Sequence, residues 1–224
     1  MQITFLGGAS AIGASCLAIE INTQWIVVDA GVRPNDRVDR LPDLAFLEGK
    51  DLRAILVTHA HSDHIGALPL LHQHFRNVPI YASMATIRLM EIMLADSVRV
   101  MEHRAEQELP LYDQDLVRSM LQLVRPLPVG AASSLAELPD VTIHTSRAGH
   151  VAGAMMLGIE SPAGRIVISG DVSVTPQRTV DGALVPDLRN PDLFILESTY
   201  GARPHPNRHL EERRLIEAVA AGVE

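Results

Sequence analysis

Side chains that can bind a metal are concentrated in one short segment, Thr58-His59-Ala60-His61-Ser62-Asp63-His64. This segment directly follows the apolar run Ala54-Ile55-Leu56-Val57, which is typical of a buried strand. Because residues two apart in an extended segment point to the same side, His59 and His61 can bind one ion. Asp63 and His64 follow where the chain turns, and their direction suits a second ion beside the first. Imidazole nitrogen and carboxylate oxygen together favour zinc, with manganese and iron as competitors.

Further candidate ligands follow other predicted strands. His150 follows the strand predicted over 141–146 and lies among small residues, where the backbone can approach an ion closely. Asp171 comes just after the strand predicted over 165–169. Asp29 ends an earlier strand, and two roles remain open for it. It can orient a metal-binding histidine from outside the ligand set, or it can cap the loop that follows the strand.

The rest of the chain supplies strands and helices that position these side chains. Apolar residues recur every three or four positions over 83–104 and 113–123, which predicts two amphipathic helices. A third helix is predicted over 208–221. The predicted strands lie at 2–6, 15–21, 25–28, 54–57, 78–81, 141–146, 154–160, 165–169 and 193–196.

Composition limits the class of protein. The 224 residues are 47% apolar and 21% charged, which is ordinary for one globular domain, or for one domain and part of another. The net charge of -8 argues against a general nucleic-acid coat, although it does not exclude a nucleic-acid enzyme whose aspartates bind cations. Cys16 is the single cysteine, so no internal disulfide forms and a reducing compartment is expected. Since no signal-peptide pattern or membrane-length apolar run is present, we predict a soluble cytoplasmic protein with no membrane partner.

Motifs along essentially the whole chain resemble the β-CASP branch of the metallo-β-lactamase fold, a group of nucleases that includes the pre-mRNA 3′-end-processing endonuclease and RNase J. The H-x-H-x-D-H pattern at 59–64 alone marks only the superfamily, which also contains glyoxalase II, lactonases and sulfatases. The resemblance to the branch depends on further motifs in family order: Gly7-Gly8, 28–34, 58–69, Leu111-Tyr112-Asp113, Ala148-Gly149-His150, Ser169-Gly170-Asp171, Leu196-Glu197-Ser198-Thr199-Tyr200-Gly201 and Glu211-Glu212-Arg213. One departure is Ala11, at a position where many relatives carry an acidic or amide residue.

The resemblance implies an α/β sandwich, the four-layer αββα metallo-β-lactamase fold, incomplete at the C-terminal end of this chain. It implies a metallo-β-lactamase domain over 1–204 and the truncated start of an inserted β-CASP domain over 205–224. It also implies two divalent metal ions and a role for each candidate residue: His59, His61 and His150 bind the first ion, Asp63 and His64 bind the second, Asp171 bridges them, and Asp29 and Glu197 match two further acidic residues of the catalytic site.

The implied activity is hydrolysis of RNA phosphodiester bonds by a hydroxide held between the two ions, with Asp63 also orienting this nucleophile. The implied partner is single-stranded RNA, and DNA is not excluded. Two alternatives remain: a small-molecule hydrolase of the same fold that acts on thioesters or lactones, and a non-catalytic partner subunit. The stretch at 197–201 favours the nuclease. An uncovered sheet edge is also expected, which predicts self-association, for example as a homodimer.

Overall fold

Two β-sheets lie face to face in the computed structural model, which describes residues 1–33, 38–104 and 109–223. Pro34, at the end of the motif at 28–34, and Glu224 lie outside these ranges. The first sheet has six strands in the order β1 (Gln2–Gly7), β2 (Cys16–Ile21), β3 (Gln24–Val28), β4 (Asp51–Leu56), β5 (Ile80–Ala82) and β6 (Val124–Pro126). Strands β1 to β3 are antiparallel, and β3 to β6 are parallel.

The second sheet has five strands in the order β11 (Leu193–Ile195), β10 (Gly164–Ile168), β9 (Met155–Ser161), β8 (Leu138–Arg147) and β7 (Ala132–Leu135). Strands β7 to β10 are antiparallel, and β11 is parallel to β10. Because β8 and β10 both run antiparallel to β9, their C-terminal ends lie at the same edge of the sheet. This arrangement brings the loops after β8 and β10 together.

Alternation along the strands divides the apolar residues of the first sheet between two cores. In β2, Leu17 and Ile19 face the second sheet, whereas Cys16 and Ala18 face the helices. Strands β3 and β4 follow the same period of two, as expected for a sheet that is covered on both faces. The core between the sheets is completed by side chains of β8, β9 and β10.

Helices cover the outer face of the first sheet. They are α1 (Ser62–Ile65), α2 (Leu68–His74), α3 (Met84–His103) and α4 (Gln114–Leu121), and a short 3₁₀ helix spans Leu44–Leu47. Ser83 and Asp113 cap α3 and α4 by accepting a backbone N–H bond from the residue three positions on. The last helix, α5 (Arg208–Ala221), is capped by Asn207 and contains no buried residue.

The predicted helices and the α/β sandwich are confirmed, while β6 and β7 were not predicted. Both are short edge strands with sequences that are not typical of strands, since β6 ends in a proline and β7 is largely Ala and Ser. The described residues form three layers: helices, first sheet and second sheet. The loop over 172–192 lies on the outer face of the second sheet, where Leu188 packs against Gly158. The domain division at residue 204 stays a prediction, as does the compartment. Among the described residues, no helix has the length and apolar character needed to span a membrane.

Candidate metal centre

The ends of four strands meet at one edge of the sandwich. Asp29 follows β3, the segment 58–64 follows β4, His150 lies after β8, and Asp171 lies after β10. Strands β3 and β4 are parallel neighbours, so Asp29 lies beside the histidine segment. The sandwich therefore brings together candidate site residues that are up to 142 positions apart in the sequence, from Asp29 to Asp171.

The first group of ligand atoms consists of three imidazole nitrogens and one carboxylate oxygen, from His59, His61, His150 and Asp171, all within 4.8 Å of one another. His61 Nδ1 is 3.1 Å from His59 Nε2 and 3.1 Å from His150 Nε2. Asp171 Oδ2 is 3.7 Å from His59 Nε2 and 3.4 Å from His150 Nε2. Four ligand atoms about 2.1 Å from one zinc ion at tetrahedral corners are about 3.4 Å apart. The set therefore has the spacing and the chemistry that a divalent ion requires.

The second group lies on the other side of the same carboxylate. Asp171 Oδ1 is 3.4 Å from His64 Nε2, and Asp63 Oδ2 is 4.0 Å from the same nitrogen. The two oxygens of Asp171 therefore face different histidines. The sequence-based assignment of His59 and His61 to one ion, and of Asp63 and His64 to another, stays a prediction.

Asp29 is buried, and its carboxylate contacts the segment that carries the histidines. Its Oδ1 accepts from the backbone N–H of Thr58 (2.8 Å), and its Oδ2 accepts from the Thr58 hydroxyl (2.7 Å). The same Oδ2 is 2.7 Å from His64 Nδ1, which donates to it because an ionised carboxylate only accepts. With its Nδ1–H used in this way, His64 directs Nε2 towards Asp171. Asp29 also has a φ of 59°, a left-handed conformation that aspartate tolerates better than most residues.

Thr58 has a role at this site that the sequence did not reveal. Its hydroxyl lies 3.1 Å from His59 Nδ1 and 3.4 Å from His64 Nδ1, besides donating to Asp29. It therefore contacts the non-ligating nitrogen of one histidine from each group. In the sequence, only its position between the apolar strand and the first histidine indicated that it lies near the site. Its hydrogen-bond partners become visible only in the fold.

Burial and neighbouring charges shift the pKa values of these side chains. Burial lowers the pKa of His59 to about 2, and burial together with a nearby imidazole lowers the pKa of His61. Burial acts to lower the pKa of His64 too, but Asp29 and Asp171 outweigh it and raise that pKa to about 10. Desolvation acts to raise the pKa of Asp171, yet the hydrogen bond and charge of His64 lower it to about 2. Neutral His59 and His61 and ionised Asp171 are the states that metal ligands require, whereas His64 must release a proton before it can bind an ion.

The backbone after β3 fits tightly against the segment that carries Asp63 and His64. Ala30 N–H donates to the His64 carbonyl (2.8 Å), and Ser15 N–H donates to the Asp63 carbonyl (2.9 Å). A Cβ on Gly31 would lie 1.6 Å from the Asp63 carbonyl oxygen, so only glycine fits there. The close approach explains why a glycine follows Asp29 by two residues.

An open cleft of about 570 Å³ lies beside the second group of ligand atoms. Its walls include residues 8–13 of the β1–β2 connection, among them Ala11, together with Asp63, His64 and Glu197. Glu197 Oε1 accepts from Val172 N–H (3.2 Å), next to Asp171, and its Oε2 accepts from Thr199 N–H (2.9 Å). Glu197 therefore fixes the backbone beside Asp171, and its catalytic role stays a prediction.

A sandwich of two sheets with histidine and aspartate side chains clustered at its strand ends defines a metal-binding α/β protein. The sequence profile described as the metallo-beta-lactamase superfamily matches residues 10–213, and the chain belongs to that superfamily. Among solved structures, the chain is similar to the Rm3 metallo-beta-lactamase, with 17% identity and a TM-score of 0.47, over 79% of this chain and 61% of that one.

Curated relatives of this chain include proteins of RNA processing and transcription. It is 28% identical to the RNase aCSPSF2 of Saccharolobus solfataricus, over 99% of this chain and 43% of the relative. It is 32% identical to the cleavage and polyadenylation specificity factor subunit 3-II of Arabidopsis thaliana, over 96% and 35%. It is 29% identical to the transcription termination factor FttA of Cenarchaeum symbiosum, over 98% and 34%. These matches confirm the resemblance to the β-CASP nucleases, although this chain spans less than half the length of each of these relatives.

Proposed function

We propose that this chain is the metal-binding part of a metal-dependent ribonuclease that hydrolyses phosphodiester bonds in single-stranded RNA. The observation that carries the proposal is the placement of Asp171 between two groups of ligand atoms, with Oδ2 towards His59 and His150 and Oδ1 towards His64. The names of the relatives support the substrate, since an RNase and a cleavage factor are among them.

In this proposal His59, His61 and His150 bind the first divalent ion, Asp63 and His64 bind the second, and Asp171 bridges them. Two bound ions, zinc by preference and manganese or iron as alternatives, would supply a hydroxide near neutral pH and positive charge for the phosphate. Asp63 has a partly exposed side chain at the cleft, so it can also orient the attacking group.

Two outer carboxylates complete the set. Asp29 sets the direction of the His64 ring through the 2.7 Å contact with Nδ1. Glu197 holds the backbone beside Asp171 and faces the same cleft. We assign both to the catalytic site as residues that position others.

The competing functions fit the observations less well. The thioester or lactone hydrolase is disfavoured by the relatives, whose names refer to an RNase, a cleavage factor and transcription termination. The non-catalytic subunit is disfavoured because all six expected ligand side chains are present and lie together. DNA remains a second candidate substrate for the same chemistry.

The test measures bound metal and cleavage in the same preparations. We expect the purified chain to bind zinc and to cleave labelled single-stranded RNA slowly, because the second group holds fewer protein ligands than the first. His61→Ala should abolish cleavage and reduce the zinc content, while the surface variant His74→Ala should leave both unchanged. Cleavage that persists in His61→Ala or after chelation, or preferential hydrolysis of a thioester or lactone, would exclude the ribonuclease.

Self-association is a further part of the proposal. Strand β11 pairs with β10 and, within the described residues, with no other strand. Leu193 and Phe194 on β11 are 42% and 50% exposed, and Leu196 directly after it is 58% exposed. An exposed apolar strand edge favours pairing with another chain. We expect the mass measured by light scattering to rise with concentration, and Phe194→Lys to reduce that rise more than Val185→Lys in the neighbouring loop. A constant monomeric mass over a wide concentration range would contradict this expectation.

A further inference from the structure

Gln177, which the sequence analysis did not single out, contacts the loop that carries a proposed metal ligand. It lies in the segment after Asp171 and is half-buried. Its side-chain Nε2 donates to the carbonyl oxygens of Gly149 (3.0 Å) and His150 (2.8 Å). Both N–H groups of one amide are therefore directed at the backbone of the His150 loop.

The surrounding contacts show that this loop is held from one side by the segment 173–184. Ser173 N–H donates to the Ala148 carbonyl (2.9 Å), and Leu184 N–H donates to the Arg147 carbonyl (2.8 Å). Gly149 has a φ of 76°, and a Cβ on it would lie 2.3 Å from the Ser173 carbonyl oxygen. The two stretches of backbone therefore approach as closely as glycine permits.

His150 depends on these contacts more than the other histidines of its group. His59 and His61 lie between β4 and α1, so regular structure fixes their backbone on both sides. His150 lies three residues beyond β8, in a turn closed by the Ala148–Ala154 backbone hydrogen bond (2.9 Å). The two bonds from Gln177 supply the restraint that regular structure does not.

We propose that Gln177 is a positioning residue, which fixes the backbone of His150 so that its Nε2 meets His61 and Asp171. This inference rests on the proposed metal site. Without the two hydrogen bonds, the His150 ring would sample more orientations, and the site would bind an ion less tightly. Side chains that orient metal ligands from outside typically contribute about 10–100-fold to affinity, and a contact through the backbone belongs at the lower end of that range.

The start of α5 holds the residues on both sides of Gln177. Arg208 donates to the Pro176 carbonyl (2.6 Å), and Arg178 forms an ion pair with Glu212 (3.1 Å). Arg208 also pairs with Glu212 (3.0 Å), so the three charged side chains form one group. These contacts are exposed and restrain the segment that carries Gln177, while Gln177 itself makes the contacts with the His150 loop.

The experiment titrates the chain with Co²⁺, following ligand-field absorption and competition with a chelator. Gln177→Met keeps the size of the side chain and removes both N–H groups, and Gln73→Met makes the same change at an exposed position of α2. We expect Gln177→Met to weaken the tighter Co²⁺ site about tenfold and to alter its absorption spectrum, while Gln73→Met matches the wild type. His61→Ala, which removes a ligand, tests the metal site itself.

The outcomes separate the inference from the proposed function. Loss of affinity in His61→Ala with wild-type affinity and spectrum in Gln177→Met would overturn the role of Gln177 alone. Equal binding by the wild type and His61→Ala would instead overturn the proposed site. Circular dichroism checks that each variant folds, and Gln177→Ala provides the same comparison if the methionine does not fit.

Discussion

Replacing Asp29 by asparagine tests whether this buried carboxylate sets the direction of the His64 ring. Asparagine has the same shape and also tolerates the observed φ of 59°. The amide oxygen can still accept from Thr58 N–H, now bonded to Asp29 Oδ1 at 2.8 Å. The second position then carries an NH₂ group where Oδ2 lies 2.7 Å from His64 Nδ1, so two donors face each other. The imidazole must turn, or keep its single proton on Nε2, and either change removes the Nε2 lone pair that would bind the second ion.

The expected magnitude follows from the bond that is lost. A hydrogen bond to a charged group contributes about 1.5–3 kcal/mol, so the metal-free variant should lose that much stability against urea. Since about 1.4 kcal/mol corresponds to a factor of ten, the affinity for the second ion should fall about 10–100-fold. This range is typical when a residue that orients a metal ligand is replaced. The first step should change less, because His64 contributes to the second group.

Zinc titration by calorimetry, with a chelator to resolve the tighter step, measures both affinities. Asp140→Asn is the matched control, because it removes an equal charge at an exposed position. If Asp29→Asn bound the second ion as tightly as Asp140→Asn, while urea unfolding showed the same stability, Asp29 would not position His64. A loss of stability with unchanged affinity would limit Asp29 to a role in the fold.

Three further perturbations test other parts of the structure. Gly31→Ala should lower the free energy of unfolding by more than about 3 kcal/mol and abolish binding of the second ion, because its Cβ would lie 1.6 Å from the Asp63 carbonyl oxygen. The control Gly222→Ala should leave the stability measured by thermal unfolding nearly unchanged. The hydrogen bond from His144 (3.0 Å) lowers the pKa of Glu160 below its ordinary 4.5, so the bond stabilises the folded chain above pH 4.5. The melting-temperature difference between the metal-free wild type and Glu160→Gln should therefore be largest near pH 7 and shrink as the pH falls below 4.5; a constant difference would contradict this sign. Zinc at about 100 times its dissociation constant should add about 2.7 kcal/mol of stability, or roughly 5–11 °C for a chain of this size, and His61→Ala should lose most of that shift.

The clustering of candidate ligands could be predicted because the histidines and aspartates closely follow strands. An apolar run followed by closely spaced histidines places ligands at the end of β4 without knowledge of the rest of the fold. His150 and Asp171 lie after other strands, and the spacing of strands and small residues was enough to select them. The resemblance to a known family then assigned each of them to an ion, and that assignment stays a prediction.

The partners of these residues could not be predicted, because they depend on how loops meet in space. Nothing in the sequence around Gln177 indicates that its amide reaches the backbone of a loop 27 residues away. Strands β6 and β7 are short, and each pairs with one neighbour, so tertiary contacts define them while their own residues favour loops. Thr58 lay within the motif, yet its three side-chain contacts follow from the neighbouring strand β3 and the turn into α1.

The two sheets each supply only part of the site, and this links metal binding to the packing of the sandwich. Strand β4 leads to two histidine ligands of the first group, while β8 and β10 lead to His150 and Asp171. Thr58 lies at the junction, since its carbonyl accepts from Met155 N–H of the second sheet (2.9 Å) and its hydroxyl donates to Asp29. The ligand set is complete only when the sheets are packed, so an ion bound by all four side chains stabilises the packed arrangement. The apolar interface supplies the contact area between the sheets, and the contacts at the strand ends fix their relative position. A substitution that disturbs the packing should therefore weaken metal binding, and loss of a ligand should weaken the packing.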